Sequence, residues 1–195
     1  VLAITSGYVD LGAGDHTLTL GVGSVGYVNA GDGNDLIMVG SGVDASVTLG
    51  DGNHTVALAA GRVGSVIAGD GNNLINVDSV AYATVSLGAG DDIVTVRAST
   101  LGYVNLGDGD HNVTLTAQGN GSVIAGRGSV IAGNGNNFIN VDSVAYAMVS
   151  VGAGNDTVTV RASTLGYVDL GDGNNKLRFD GSAGTGTAPT VSSLG

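Results

Sequence analysis

The sequence predicts an all-β fold: a single-stack β-solenoid of about ten 19-residue coils, with two short strands per coil. Three observations predict it. Glycine supplies 36 of the 195 residues, yet the chain is 43% hydrophobic, with one Pro and no Cys, Trp or Glu. A Gly-x-Gly motif returns at a fixed interval, and each copy is followed by apolar residues that alternate with polar ones. Disorder requires low hydrophobicity, and collagen requires proline and glycine at every third position, so neither fits. Long helices need Glu, Lys, Gln and Ala-rich stretches that are absent.

The repeat is read from its first glycine. The motif Gly-x-Gly-Asn/Asp, a polar residue, then x-apolar-x-apolar begins at Gly12, Gly31, Gly50, Gly69, Gly88, Gly107, Gly133, Gly152 and Gly171, and every interval is 19 residues except the 26 from Gly107 to Gly133. The excess is a local duplication, GSVIAGR at Gly121–Arg127 followed by GSVIAGN at Gly128–Asn134. It places a seven-residue insert within 121–132. A larger duplication makes Gly64–Leu106 recur as Gly128–Leu170.

Within each repeat, positions 7 and 9 are apolar in every copy, from Leu18/Leu20 and Ile37/Val39 to Val158/Val160 and Leu177/Phe179. That is period-two alternation, so these are the inward residues of a first strand. Positions 17 and 19 repeat the pattern for a second strand, as in Val28/Ala30, Val47/Leu49, Val85/Leu87 and Val168/Leu170, with a small residue at position 15. Val, Ile, Leu and Thr suit strands, and Gly-Asp-Gly-Asn suits the turns between them. One coil cannot bury its apolar face, but coils stacked at about 4.8 Å share one thin core. The first eleven residues are in phase with the second half of a coil, Val9 and Leu11 falling at positions 17 and 19. The solenoid domain is therefore assigned to 1–180, and 181–195, rich in Gly, Ser and Thr and holding the only proline, Pro189, to a tail or linker. The start at Val1 in mid-coil reads as a piece of a longer or processed chain.

Charge narrows the function. The 17 acidic residues are all Asp, against one Lys and five Arg, for a net charge of −11. Six scattered basic residues form no phosphate-binding patch, so neither nucleic acid nor an anionic membrane is expected as a partner. Divalent cations are the natural counterpart. No stretch reads as a membrane-inserting segment, and the lack of cysteine is compatible with an extracellular bacterial protein.

The Gly-x-Gly-Asn-Asp-x-apolar-x-apolar half-coil resembles the RTX, or haemolysin-type calcium-binding, repeat of secreted bacterial proteins, over roughly residues 1–180. The 19-residue length with one such turn per coil is most similar to the ice-binding RTX region of a large bacterial adhesin. The resemblance implies a Ca²⁺ cofactor held between coils by turn carbonyls and by the aspartate at position 5, a donor set suited to a hard cation. In this chain that position is Asp at Asp35, Asp92 and Asp156. Asp32, stacked with Asp51 and Asp70 at position 2, and Asp91 at position 4 are further candidate cation ligands. The resemblance also places the protein outside the cell or on the surface of a bacterium, with ice or a glycan surface as a candidate partner. The Thr that lines the ice-binding array in that relative is here Ala13, Asp32, Asp51, Asp70, Ala89, Asp108, Asn134, Ala153 and Asp172.

Elsewhere position 5 carries His16, His54, Asn73, His111, Asn137 and Asn175, which reads as an internal polar ladder that bonds turn backbone in place of metal. A buried histidine there is a point of pH sensitivity. Outward positions 14 and 16 carry Tyr27, Tyr82, Tyr103, Tyr146 and Tyr167, a candidate interface for side-by-side association. Position 10 alternates Asp78 with Arg97, and Asp142 with Arg161 and Asp180, as cross-strand ion pairs. No Ser-His-Asp or Cys-based arrangement stands outside the repeat, so no enzyme is expected. The sequence thus points to a non-catalytic rod, stalk or filament subunit that associates end to end or side by side. The alternatives are an ice-binding surface and a calcium-dependent folding segment of a secreted toxin or enzyme.

Overall fold

The computed structural model describes residues 7–21, 25–40, 44–117 and 127–180. The proposed tail at 181–195, the first six residues and most of the insert lie outside them. Within them the chain is all-β, a parallel β-solenoid of about eight turns. The short strands are β1 (Gly7–Asp10), β2 (Thr17–Leu20), β3 (Val25–Asn29), β4 (Leu36–Val39), β5 (Asp44–Thr48), β6 (Thr55–Ala59) and β7 (Val63–Ile67). Then follow β8 (Leu74–Ser86), β9 (Ile93–Asn105), β10 (Asn112–Ala117), β11 (Arg127–Ile131), β12 (Phe138–Ser150), β13 (Thr157–Asp169) and β14 (Lys176–Phe179).

Every pairing is parallel and in step with the repeat. One ladder runs β2, β4, β6, β8, β9, β10, β12, β13, β14, and is built from positions 6 to 10. The other runs β1, β3, β5, β7, β8, β9, β11, β12, β13, from positions 14 to 18. Between them lies the core. Val28, Val47, Val66, Val85, Val104, Val130, Val149 and Val168 stack as one column of identical buried side chains, facing Ile37, Val56, Ile75, Val94, Val113, Ile139 and Val158 from the other ladder. Stacked β-branched residues keep one rotamer and fill a thin core without gaps.

Two strands per coil holds for the early coils, but four coils depart from it. β8, β9, β12 and β13 each run 13 residues through the corner that should separate two strands, bending at register irregularities such as that between Val77 and Val80. The reason is local. Sequences at 21–24, 40–43 and 59–62 contain glycine, and the described strands on either side of each are separate, whereas Asp78–Ala81, Arg97–Thr100, Asp142–Ala145 and Arg161–Thr164 contain none. The insert is absorbed without disturbing the stack. Gly128 pairs with Gly102 and with Ala147, so the second copy of the duplicated heptapeptide continues the coil.

Small residues at position 15 face the core. A Cβ on Gly102 would lie 2.8 Å from Leu115 Cδ1, whereas Ala45, Ala83 and Ala147 are buried at the equivalent places of other coils.

Candidate functional site

The turn that opens each coil carries three columns of side chains, and their hydrogen bonds account for its backbone. At position 2 each acid or amide caps the coil that follows: Asp51 N–H donates to Asp32 Oδ1 at 3.0 Å, Asp70 N–H to Asp51 Oδ1 at 2.8 Å, Ala89 N–H to Asp70 Oδ1 at 2.7 Å. Position 4 does the same, with Asn34 N–H on Asp15, Asp91 N–H on Asn72 and Asp110 N–H on Asp91 Oδ1 at 2.8 Å. Both columns are solvent-exposed. Asp32 and Asp91, predicted as cation ligands, therefore each spend one carboxylate oxygen on a neighbouring amide.

The inner column at position 5 runs the other way. Each main-chain N–H donates to the side chain of the coil after it. The steps are His16 to Asp35 Oδ1 (3.0 Å), Asp35 to His54 Nδ1 (3.4 Å), His54 to Asn73 Oδ1 (3.1 Å) and Asn73 to Asp92 Oδ1 (2.9 Å). It continues with Asp92 to His111 Nδ1 (3.3 Å), His111 to Asn137 Oδ1 (3.3 Å), Asn137 to Asp156 Oδ1 (2.9 Å) and Asp156 to Asn175 Oδ1 (2.9 Å). The predicted internal ladder is thus one unbroken chain of side chain-to-backbone bonds. From Asp35 to Asp156 its members are buried, none more than 2% exposed.

The side-chain donors of this column point back at the turn. His54 Nε2 lies 3.0 Å from Gly50 O and His111 Nε2 2.8 Å from Gly107 O. Asn73 Nδ2 donates to Gly71 O (2.8 Å), Asn137 Nδ2 to Gly135 O (3.0 Å), and Asn175 Nδ2 to Leu170 O (2.9 Å). A carbonyl only accepts, so both Nε2 atoms carry hydrogen. The three aspartates differ from the asparagines in one respect: Asp35, Asp92 and Asp156 each retain a buried Oδ2 that accepts no hydrogen bond from the protein. Burial pushes the Asp92 carboxyl above the usual carboxylate range, while the donors of Asn73 and the nearby His111 ring act in the opposite direction.

These residues do not fit a calcium cage. Calcium takes six to eight oxygens, but each ladder aspartate has one uncommitted oxygen, its neighbours in the column are His or Asn, and the turn carbonyls of Gly50, Gly71, Gly107, Gly135 and Leu170 each accept an N–H from the ladder. Among the described residues no group of three or more metal-ligating side chains converges.

The outward tyrosines do not form one patch. Tyr27, Tyr103 and Tyr167 stand in one column several coils apart, and Tyr82 and Tyr146 in the next. Tyr82 joins Val63 and Leu101, its partners on the adjoining coils, in an exposed stripe. Tyr146 is half-buried, lying where Gly166 has no side chain, and the Tyr167 hydroxyl donates to Asp169 Oδ2 at 2.9 Å. The first-strand face alternates Leu36, Thr55, Leu74, Ile93, Asn112 and Phe138 rather than presenting a regular threonine array. A shallow open depression lined by Thr19, Met38, Gly40, Ala57, Asn76 and Asp78 marks where small residues interrupt it. The expected ion pairs form as long, exposed contacts, Arg97 to Asp78 at 3.7 Å and Arg161 to Asp142 and Asp180 at 3.8 Å. Arg62 bridges to Asp44 through Nε at 3.0 Å and through Nη2, a pair that sequence reading missed because its members stand 18 rather than 19 residues apart. The capping role of positions 2 and 4 was also missed, although Asp or Asn at position 4 of every coil was its signal.

Among the described residues no helix is long and apolar enough to cross a membrane. No protein-family model, curated protein or solved structure matches the chain.

Proposed function

We propose that this chain is a non-catalytic structural rod: an extracellular stalk or filament subunit of a bacterial surface, in which the coil itself is the functional unit. The observation that carries the reading is the unbroken inner ladder. Each coil's turn is completed by the next coil's side chain, so a coil is closed only when another coil follows it. Such an architecture transmits length rather than shaping a cleft. The same dependence of each coil on the next supports end-to-end association of copies. The exposed stripe of Val63, Tyr82 and Leu101 supports a lateral contact.

Light scattering with negative-stain electron microscopy across a wide protein concentration range tests this reading. Elongated particles that lengthen with concentration are expected. A monodisperse monomer throughout overturns the association, and a compact hydrodynamic radius overturns the rod.

A further inference from the structure

The larger duplication makes two pairs of neighbouring strands identical at their corners. Ile75–Ala83 of β8 recurs as Ile139–Ala147 of β12, and Val94–Val104 of β9 recurs as Val158–Val168 of β13. Identical residues on facing strands should pair identically, yet these do not. Both corners enter the same way, with Val77 on Val96 and Val80 on Ala98 in the first, and Val141 on Val160 and Val144 on Ala162 in the second. At that point β8 and β12 have each spent one residue more than the strand they face, and the repeat returns to step only when the facing strand spends one too. The two corners do so at different places. β9 does it at once: Tyr82 pairs with Leu101 and Ala83 with Gly102, which leaves Ser99 and Thr100 opposite Ala81. β13 does it later: Tyr146 pairs with Thr164 and Ala147 with Leu165, and Gly166 is left over before Met148 meets Tyr167.

The place of the bulge decides what becomes of a glycine and a tyrosine. In the first corner Gly102 is buried, a Cβ on it would lie 2.8 Å from Leu115 Cδ1, and Tyr82 stands out, 47% exposed. In the second corner Gly166 is half-buried, and a Cβ on it would run into the ring of Tyr146, which is itself half-buried. A strand glycine leaves backbone uncovered, and an aromatic ring laid across it covers that backbone, so a bulge closed by Tyr146 over Gly166 is a stable arrangement.

The first corner is held by its other neighbour. β9 lies between β8 and β11, and Leu101, Gly102 and Tyr103 pair with Arg127, Gly128 and Ser129 without a break. A bulge at Gly102 would pull that glycine out of its pairing with Gly128 as well.

We infer that the corner formed by Tyr146 and Gly166 is a two-state joint. In one state the surplus residue of β13 is Gly166, with Tyr146 lying over it. In the other the surplus passes to Ser163 and Thr164, the place β9 uses, so that Ala147 pairs with Gly166, the glycine faces the core and Tyr146 stands out as Tyr82 does. Both arrangements are present in one molecule on the same residues, so neither asks for a conformation that the local sequence disfavours. The joint sets whether position 14 presents one exposed tyrosine, Tyr82, or two. The exchange needs no second molecule.

Relaxation-dispersion NMR on the full chain tests this, with the first corner as internal control. Exchange on the microsecond-to-millisecond scale is expected at Ala147, Gly166 and Tyr167, and none at Ala83, Gly102 and Tyr103. A second corner without exchange, or the same exchange at both corners, overturns the proposal. Gly166→Ala then selects one state. A Cβ at 166 excludes the ring of Tyr146, whereas the inward arrangement accepts alanine, as buried Ala83 and Ala147 do at the same position of the repeat, and Gly166 has no positive φ to forbid it. In the variant the exchange should vanish, and Ala147 should show cross-strand nuclear Overhauser contacts to residue 166 in place of Leu165. Tyr146, nitrated by tetranitromethane several-fold more slowly than Tyr82 in the parent, should then react as fast as Tyr82. A variant in which Ala147 still meets Leu165, or in which Tyr146 stays protected, overturns the proposal. The dispersion measurement on the parent decides it should the variant fold poorly.

Discussion

A glycine at position 3 of the turn is held by two constraints at once. Gly71 has φ of 133°, where an L side chain is strained, and a Cβ there would run into the carbonyl of Gly52 on the preceding coil. The backbone conformation alone costs a non-glycine residue on the order of 1–3 kcal/mol, and the carbonyl is part of a stacked turn that cannot retreat. Gly71→Ala is therefore expected to destabilise the rod by upwards of about 2 kcal/mol, read by denaturant unfolding. Gly26, at position 15, is under neither constraint. It has no positive φ, its nearest neighbour for a Cβ is Val39 at 3.5 Å, and Ala45 already occupies the same place one coil on. Gly26→Ala should change stability by less than about 1 kcal/mol; a loss as large as that of Gly71→Ala would refute the distinction. The repeat already marks the difference, glycine at position 3 of every copy and either Gly or Ala at position 15. The position of the neighbouring coil supplies the physical reason.

At the scale of the element, the unit of the fold is the ladder step between coils, and strand length follows from corner chemistry. The period-two alternation in Ile37/Val39 or Val158/Val160 marks the first strand and its inward face directly, because the side-chain period of a strand is two. The merging of two strands into β8, β9, β12 and β13 was also written in the residues, in corners such as Asp78–Ala81 that lack glycine, but reading it required knowing that the neighbouring coil bends in parallel. The insert follows the same logic. Since Gly128 takes the place in register that Gly121 would otherwise hold, removal of Gly121–Arg127 restores the 19-residue interval and takes from β11 only its first residue, Arg127, whose place passes to Asn120. The deletion variant should fold to the same strand content and melt at or slightly above the parent, since shortening the connection between β10 and β11 reduces closure entropy by only a few tenths of a kcal/mol. A melt lowered by several degrees would mean that the first heptapeptide holds the coil after all.

For the whole molecule, the stack decides which chemistry is available. Calcium is the natural expectation for an acidic, glycine-turned solenoid, and Asp35, Asp92 and Asp156 stand where the resemblance requires them. Stacking surrounds each with His and Asn side chains from the coils on either side, and the Gly50 and Gly107 carbonyls each accept both a ring N–H and a backbone N–H, which leaves them no lone pair for a cation. We therefore expect the strand signal and the melting temperature in circular dichroism to agree between excess EDTA and millimolar Ca²⁺. Folding only in the presence of calcium would instead support the secreted-segment reading. The surface charge acts at this scale too. The aspartates of positions 2 and 4 line the exposed turn edge, where fully solvated neighbours about 5 Å apart repel by only about 1 kcal/mol, and each offsets this by capping an amide.

By itself the sequence determined the coil length, the inward columns, the place of the insert and the identity of the polar column, because all of these are periodicities, and a period survives without coordinates. What the tertiary structure decided is direction and partnership: that positions 2 and 4 cap forward while position 5 reaches the other way, that Asp92 meets His111 on one side and Asn73 on the other, and that Tyr146 lies over Gly166. The physical reason is that each of these is a contact between residues 19 or more apart, set by the stagger of one coil on the next. A side chain with two or three hydrogen-bonding atoms satisfies a turn in several ways until its neighbours are in place.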